Sequence, residues 1–327
     1  MSAAVVDAPV QPAAFGEEAS MRRPLLGYAL VCAAVALWSV NATVSKVVLQ
    51  SGGLSTFRLA EVRATGSAVL LFAAVAAARP AGLRVTAREL GFLAVFGVAG
   101  LAFVQFFYFV GIKHLDIGIA LVIQYLAPVL VALWVRFFVH EPVRRRLWPA
   151  LALSLLGLTL VVRLWSGVSL SGIGVASCLG AACAYAVYIL MAEHGVRRGR
   201  DAYSLLAWGF FFAAVFWTVA QPWWSFPTSL ASADASLLGR LEGLHAPVWL
   251  LLAYVVVLGT VVPFVLMITA LHHIPATRAT VVAMLEPVLA AVVAFAWLGE
   301  RLGALQILGG LLVLAGIVLG QTARNES

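Results

Sequence analysis

The sequence carries one short motif twice, as QYLAPV at residues 124–129 and as LEPVLAA at residues 285–291. The two prolines, Pro128 and Pro287, lie 159 positions apart. The same offset aligns four further identical pairs: Glu141 with Glu300, His114 with His273, Ala120 with Ala279, and Gly157 with Gly316. Near the starts of the two halves, an offset of 147 places Trp38 over Tyr185. These matches indicate that the chain consists of two related halves.

The composition around the repeat excludes a soluble protein. Of the 327 residues, 63% are hydrophobic and only 11% are charged, whereas soluble domains carry about a quarter charged residues. The basic residues lie between apolar segments, where membrane orientation accounts for them, so nucleic acid is not an expected partner. The three cysteines form no C-x-x-C pair, and phosphate-binding and H-E-x-x-H motifs are absent. We therefore expect neither a metal site nor a cofactor, and no ATP-driven pump.

Apolar segments of roughly the length that crosses a bilayer recur along the chain. We predict ten of them, at about 25–48, 57–78, 90–112, 116–138, 147–164, 171–192, 204–220, 248–270, 275–297 and 304–321. Five spans in each half is an odd number, so the second half enters the membrane from the opposite side. The expected fold is an all-α polytopic membrane protein of two inverted five-helix repeats, at 25–164 and 171–321, after a disordered cytoplasmic tail at 1–24.

The distribution of basic residues predicts the orientation. With ten spans and a cytoplasmic N-terminus, fourteen Lys and Arg fall on the cytoplasmic side and six on the other, with Arg63 inside a span. Basic residues are enriched in cytoplasmic loops. Both termini are therefore expected in the cytoplasm, with the protein in the cytoplasmic (inner) membrane and Trp223 and Trp224 in the interfacial belt.

The paired motifs, each followed by a glutamate at a helix end, resemble those of the EamA branch of the drug/metabolite transporter superfamily. The resemblance covers residues 25–321 and implies ten helices, cytoplasmic termini, and export or exchange of small metabolites such as amino acids. It favours a secondary active transporter that works by alternating access and is not an enzyme. Two other classes remain open from the residues alone: a membrane-embedded enzyme acting on a lipid-linked substrate, and a passive metabolite channel.

Two charged residues fall well inside predicted spans, where charge is costly and normally faces a cavity. Glu286 directly precedes Pro287, and its counterpart in the first half is Ala127, so we expect it to serve substrate binding or coupling to a proton or substrate gradient. A fixed ion pair between Glu286 and Arg63 is the structural alternative. Arg63 either recognises a substrate carboxylate or pairs with Glu61. Glu61 itself is expected close enough to a helix end to reach the membrane surface.

Other polar and aromatic side chains in the spans are candidates for the substrate site, each with helix packing as its alternative: Trp38, Asn41, Gln105, Tyr108, Gln124, Tyr125, Tyr185, Tyr188 and Trp208. Pro128 and Pro287 are expected to kink their helices and to free backbone groups there. Together with the resemblance to the EamA branch, these residues imply a cavity lined by spans one, three, four, six, eight and nine. Glu141 and Glu300 are expected to cap a helix or to pair with Arg144 or Arg301.

The last span contains several glycines, including Gly316 and Gly320, and Gly157 of span five matches Gly316. Small residues at this spacing let membrane helices approach closely. Spans five and ten are therefore predicted to form a static packing seam, which could also be a subunit contact in a homodimer. Monomer and homodimer both remain open.

Overall fold

A computed structural model describes residues 23–112, 114–115, 117–143, 145–162, 171–299 and 303–322. The predicted tail at residues 1–24 therefore lies almost entirely outside the described residues. Arg144, Glu300 and Arg301 also lie outside them, so the expectations that concern these three residues are not developed further.

The described chain is built from ten main helices, named α1 to α10 in chain order. Their bounds are Pro24–Gln50, Thr56–Ala78, Ala87–Gly111, Ala120–Val139, Leu147–Val161, Gly172–Arg197, Ala202–Ala220, Val248–Ala270, Ala276–Leu298 and Ala304–Gly320. Within the described residues, eight of these are long and apolar enough to cross a membrane, while α5 and α10 are shorter. The all-α polytopic class is thus confirmed, and the count of ten spans stays a prediction.

The segment between α7 and α8 contains the strands of the described chain, which the sequence did not predict. The strands β1 (Asp234–Ser236) and β2 (His245–Pro247) pair antiparallel, with Ala235 opposite Ala246. A one-turn helix at Thr228–Ala231 precedes them. The hairpin packs on the end of α9, where the indole of Trp297 donates a 2.8 Å hydrogen bond to the Leu237 carbonyl.

Helices α4 and α9 are both interrupted just before the proline of the repeated motif. The α-helix stops at Gln124 and resumes at Ala127 in α4, and it stops at Ala283 and resumes at Glu286 in α9. Proline lacks an N–H and its ring collides with the carbonyl four residues earlier, which is that of Gln124 or of Ala283. The two halves therefore break their fourth helix at the same place.

Helices α3 and α8 share a second irregularity. Each contains a π-helical segment, Phe96–Ala102 in α3 and Val257–Val261 in α8. The offset of 159 that relates the motifs superimposes residues 98–102 on 257–261. Since π-helical turns are rare and often occur at functional sites, their presence at equivalent positions extends the internal repeat from sequence to backbone.

Helix packing follows the same relation. Helix α1 packs on α8 and α9, while α6, which is the first helix of the second half, packs on α3 and α4. The first helix of each half therefore contacts the third and fourth helices of the other half. This exchange leaves the broken helices α4 and α9 facing each other across the middle of the molecule.

Helices α5 and α10 form a separate, close-packed pair, in agreement with the predicted seam. A Cβ atom at Gly157 would lie 2.5 Å from the Gly309 carbonyl oxygen, and a Cβ at Gly309 would lie 2.6 Å from the Gly157 carbonyl oxygen. A Cβ at Gly316 would collide with the Ser154 hydroxyl. Glycine is required at these three positions because backbone meets backbone.

This seam yields a prediction from two neighbouring glycines. Gly309→Ala should lower the melting temperature in detergent, because its methyl group meets backbone atoms of α5 that cannot move aside; overpacking of this kind costs about 1–3 kcal/mol. Gly310→Ala is the matched control, since its Cβ meets only the Val288 side chain, at 3.3 Å. Equal melting temperatures for the two variants would contradict the close approach of α5 and α10.

Candidate functional site

A cavity of about 520 Å³ lies between the two halves, lined by α1, α2, α3, α4, α6, α8 and α9. Ten of the eleven candidates named from the sequence line it: Trp38, Asn41, Arg63, Gln105, Tyr108, Gln124, Tyr125, Tyr185, Tyr188 and Glu286. Pro287 lines it as well. The expected set of helices lacked α2, which contributes Thr56, Leu59 and Arg63.

The cavity is open at one end and closed at the other. It runs along α1 from Trp38 to Gln50, which is about 18 Å by helix rise. Trp38 and Tyr188 form its floor. Both rings pack edge-on against Phe264, whose ring centroid lies 5.2 Å from that of Trp38 and 5.5 Å from that of Tyr188. At the wide end it reaches Gln50 and Leu298, the last residues of α1 and α9. The structure therefore has access to the cavity from the end where α1 finishes.

Below the floor, the opposite end of the bundle is held closed. The Ala276 backbone N–H, at the start of α9, donates to the Glu193 carboxylate at 3.1 Å. A Cβ at Gly27 of α1 would lie 2.9 Å from the Ile274 side chain, which precedes α9. Arg278 donates to the Tyr28 hydroxyl at 3.3 Å. These contacts join α1 and α6 to the first turn of α9.

Glu286 lies at the break of α9, where it begins the second helical segment. Its carboxylate accepts a 2.8 Å hydrogen bond from the Tyr125 hydroxyl, which stands at the break of α4. Its backbone carbonyl accepts from the Ser39 hydroxyl of α1 at 3.1 Å. The interrupted helices thus bring together the phenol of one half and the carboxylate of the other, and a carboxylate is favoured at a helix N-terminus.

Arg63 is held by a different hydroxyl group. Its Nε donates to the Thr260 Oγ1 atom at 3.1 Å, in the π-helical segment of α8. Among the described residues, no hydrogen bond or ion pair joins Arg63 to Glu286. The alternative of a fixed Glu286–Arg63 ion pair does not hold in this structure. Each charge has a neutral partner instead.

The expectations for Glu61 are wrong. Its side chain is completely buried and pairs with Arg58 at 2.5 Å, so it neither reaches the membrane surface nor pairs with Arg63. Arg58 also donates to the Pro222 carbonyl at 3.2 Å and to the Ser225 hydroxyl. The segment between α7 and α8 covers this end of α2, which the spacing of residues along α2 does not reveal.

Several polar atoms on the cavity wall have no hydrogen-bond partner among the described residues. They are Asn41 Oδ1, Ser45 Oγ, Gln124 Oε1 and Tyr188 Oη. A buried polar group without a partner is costly. All four atoms are buried in this structure, so each gains a partner only when the side chains around it rearrange.

Trp208 is the one candidate that does not line the cavity. It packs between Phe72 of α2 and Phe212 of α7, with ring centroids 5.2 and 6.3 Å away. Its indole N–H has no described partner.

Glu141 was expected to cap a helix or to pair with Arg144 or Arg301. Its described ion-pair partner is Arg197, at 3.7 Å.

Comparison with known protein families shows to which family this chain of two related halves belongs. The model of the EamA-like transporter family matches residues 25–163 and again residues 172–320. The chain belongs to the EamA-like transporter family. The two matched ranges correspond to the two halves inferred from the repeated motif.

Relatives of this EamA-family chain are named as transporters. The threonine/homoserine exporter RhtA of Escherichia coli strain K12 is 30% identical over 242 residues, which is 72% of each chain. The uncharacterized transporter YdfC of Bacillus subtilis strain 168 is 24% identical over 252 residues, or 76% of each chain. A solved crystal structure shares the fold with a TM-score of 0.73 at 18% identity, covering 90% of this chain and 95% of the other.

The family and the named relatives are transporters rather than enzymes, and they identify the chain as a multi-pass membrane transporter for small molecules. Within the part of the chain that the structure describes, no three His, Cys, Asp or Glu residues are grouped so as to hold a metal ion. The cavity wall itself offers charged side chains, hydrogen-bonding groups and aromatic faces.

Proposed function

We propose that this protein is a secondary active transporter that exports a small zwitterionic metabolite, an amino acid or a related compound, across the cytoplasmic membrane. The observation that carries the proposal is one cavity with a carboxylate and a guanidinium on different helices, each held by a hydroxyl group. Ion pairs compensate the cost of burying charge. A ligand with an ammonium and a carboxylate group provides a partner for both Glu286 and Arg63.

The size and walls of the cavity agree with such a ligand. A volume of about 520 Å³ lies within the range of about 300–1,000 Å³ typical of small-molecule sites. Asn41, Ser45 and Gln124 are further polar residues of the cavity wall, and the tyrosine and tryptophan rings supply apolar area. RhtA, the relative with a named substrate, is a threonine/homoserine exporter.

Transport is proposed to occur by alternating access between two inverted five-helix repeats that make ten spans. The structure would be the outward-open state, because the cavity reaches the end of α1 that lies outside when the N-terminus is cytoplasmic. Swapping the conformations of two similar halves then produces an inward-open state. The breaks in α4 and α9 allow these helices to bend without losing further backbone hydrogen bonds.

The proposal is tested by counterflow in proteoliposomes loaded with single amino acids, with and without a pH gradient. We expect saturable exchange of a small amino acid, and an effect of the pH gradient if Glu286 couples transport to protons. Flux that does not saturate would instead identify a channel. No exchange across the whole panel of amino acids would overturn the proposed substrate class.

The proposed orientation makes a separate prediction. A cysteine at Ser232, which is exposed between α7 and α8, should react with a membrane-impermeant maleimide added to intact cells. Cysteines at Ala14 and Ser327 should react only after the membrane is permeabilised, because both termini are proposed to be cytoplasmic. The topology with cytoplasmic termini places fourteen basic residues on the cytoplasmic side and six on the other. Labelling of the two termini from opposite sides would exclude the ten-span topology.

A further inference from the structure

We propose that Thr260 is a positioning residue that fixes the Arg63 guanidinium for a substrate carboxylate. This inference rests on the proposed function and adds a residue that does not itself line the main cavity. Thr260 is 1% exposed and lies behind Arg63, in the π-helical segment of α8.

The hydrogen bonds of the Thr260 hydroxyl show that it acts as an acceptor towards Arg63. The Oγ1 atom donates its proton to the Val255 carbonyl, at 2.8 Å. It therefore meets Arg63 as an acceptor, and the 3.1 Å bond from Nε uses one of the five guanidinium donors. The other four, on the two terminal nitrogens, have no described partner and form the planar fork that binds a carboxylate through two parallel bonds.

The space around Arg63 directs that fork towards the main cavity. A second cavity of about 20 Å³ also touches Arg63 and is lined, among others, by Thr260, Phe210 and Trp217, which do not line the main cavity. Its volume suffices for about one water molecule and not for a guanidinium group. Arg63 lines both cavities, whereas Thr260 lines only the small one. Thr260 therefore holds the guanidinium through Nε, and the small cavity has no room for the guanidinium to move into it from the main cavity.

Comparison of the two halves shows that the Arg63–Thr260 pair is not part of the structure that the halves share. The π-helical segment occurs in both halves. At the offset of 159, however, the residue of the first half that is equivalent to Thr260 is Leu101, which has no hydroxyl group. The position of Arg63 in the second half is Phe210 at the offset of 147. A hydroxyl needed only to form the π-helical turn would be expected in both halves. Donor and acceptor instead occur once each and meet across the interface of the halves.

The test measures counterflow of threonine and of its carboxamide, which lacks the carboxylate charge. Thr260→Val keeps the shape of the side chain and removes the acceptor. We expect it to raise KM for threonine about tenfold, the effect of losing a hydrogen bond to a charged group, with kcat within about threefold of wild type. The preference for threonine over its carboxamide should fall by the same factor. Thr260→Ser should restore both values to within about threefold.

Thr280→Val is the matched control. Thr280 is another buried threonine whose hydroxyl donates to a carbonyl of its own helix, that of Ala276 at 2.9 Å, but it does not line the cavity. It should leave the preference for the acid unchanged. A Thr260→Val variant that keeps the preference, or a Thr260→Ser variant that loses it equally, would overturn the inference.

The outcomes also separate this inference from the proposed function. If the wild-type protein exchanges a carboxylate that is not an amino acid, the proposed substrate class fails. The comparison of that acid with its amide then still tests Thr260. If the wild-type protein exchanges no carboxylate at all, the role of Thr260 in carboxylate binding is overturned as well.

Discussion

Replacing Glu286 by glutamine is expected to abolish concentrative transport, or its dependence on pH, in a protein that still folds and inserts. The amide keeps the size of the side chain and an oxygen that accepts from the Tyr125 hydroxyl. What it removes is the charge that meets the substrate ammonium or carries a proton. Hydrogen bonds to charged groups contribute about 1.5–3 kcal/mol, so the apparent affinity for the substrate should also fall about tenfold or more.

Glu141→Gln serves as the control for this variant. Glu141 is also a glutamate near the end of a helix, but it is partly exposed, pairs with Arg197 and does not line the cavity. Uptake in proteoliposomes should be measured for both variants across a pH series. Transport kinetics of Glu286→Gln equal to wild type at every pH would exclude the proposed role of this carboxylate.

Replacing Glu61 by alanine is expected to cause the largest loss of stability among the substitutions considered. Glu61 is completely buried, and its removal leaves the Arg58 guanidinium, on a side chain that is only 6% exposed, without its counter-charge. Removing one partner of a buried ion pair costs about 3–5 kcal/mol. The Pro222 carbonyl and the Ser225 hydroxyl keep their bonds to Arg58, so we expect the lower end of that range.

Glu141→Ala is the comparison for stability, because its pair with Arg197 is half-exposed and should contribute about 1 kcal/mol or less. Both variants should be unfolded in detergent and followed by tryptophan fluorescence. A Glu61→Ala protein as stable as Glu141→Ala would contradict the buried pair and the covering role of the segment between α7 and α8.

The repeated motif was sufficient to predict the two-fold organisation, and ten of the eleven candidates named from the sequence line the cavity. Pro128 and Pro287 mark where α4 and α9 break, and a polar residue deep in an apolar span has few places to lie except between helices. The cavity therefore brings together residues from both copies of the motif, such as Tyr125 and Glu286.

Two of the misses share one physical cause, which is contact between segments distant in the chain. Thr260 looks like an ordinary membrane threonine until Arg63 is placed beside it. Glu61 was expected at the surface because nothing in α2 shows that the segment after α7 covers it. Trp208 sits among phenylalanines rather than in the cavity, because aromatic residues in a span are equally suited to packing. The β1–β2 hairpin has only three residues in each strand, too few for a period to be read.

The central claim, that the cavity between the halves is the substrate site and opens outward here, is tested most directly by protection from labelling. Ala290 lines the cavity on α9, one helical turn beyond Glu286. In a background without the native cysteines, Ala290→Cys should react with an impermeant maleimide from outside, and saturating transported amino acid should slow the reaction several-fold. Ser232→Cys should react without protection. Failure of Ala290→Cys to label from outside, or labelling that substrate does not slow, would contradict the account.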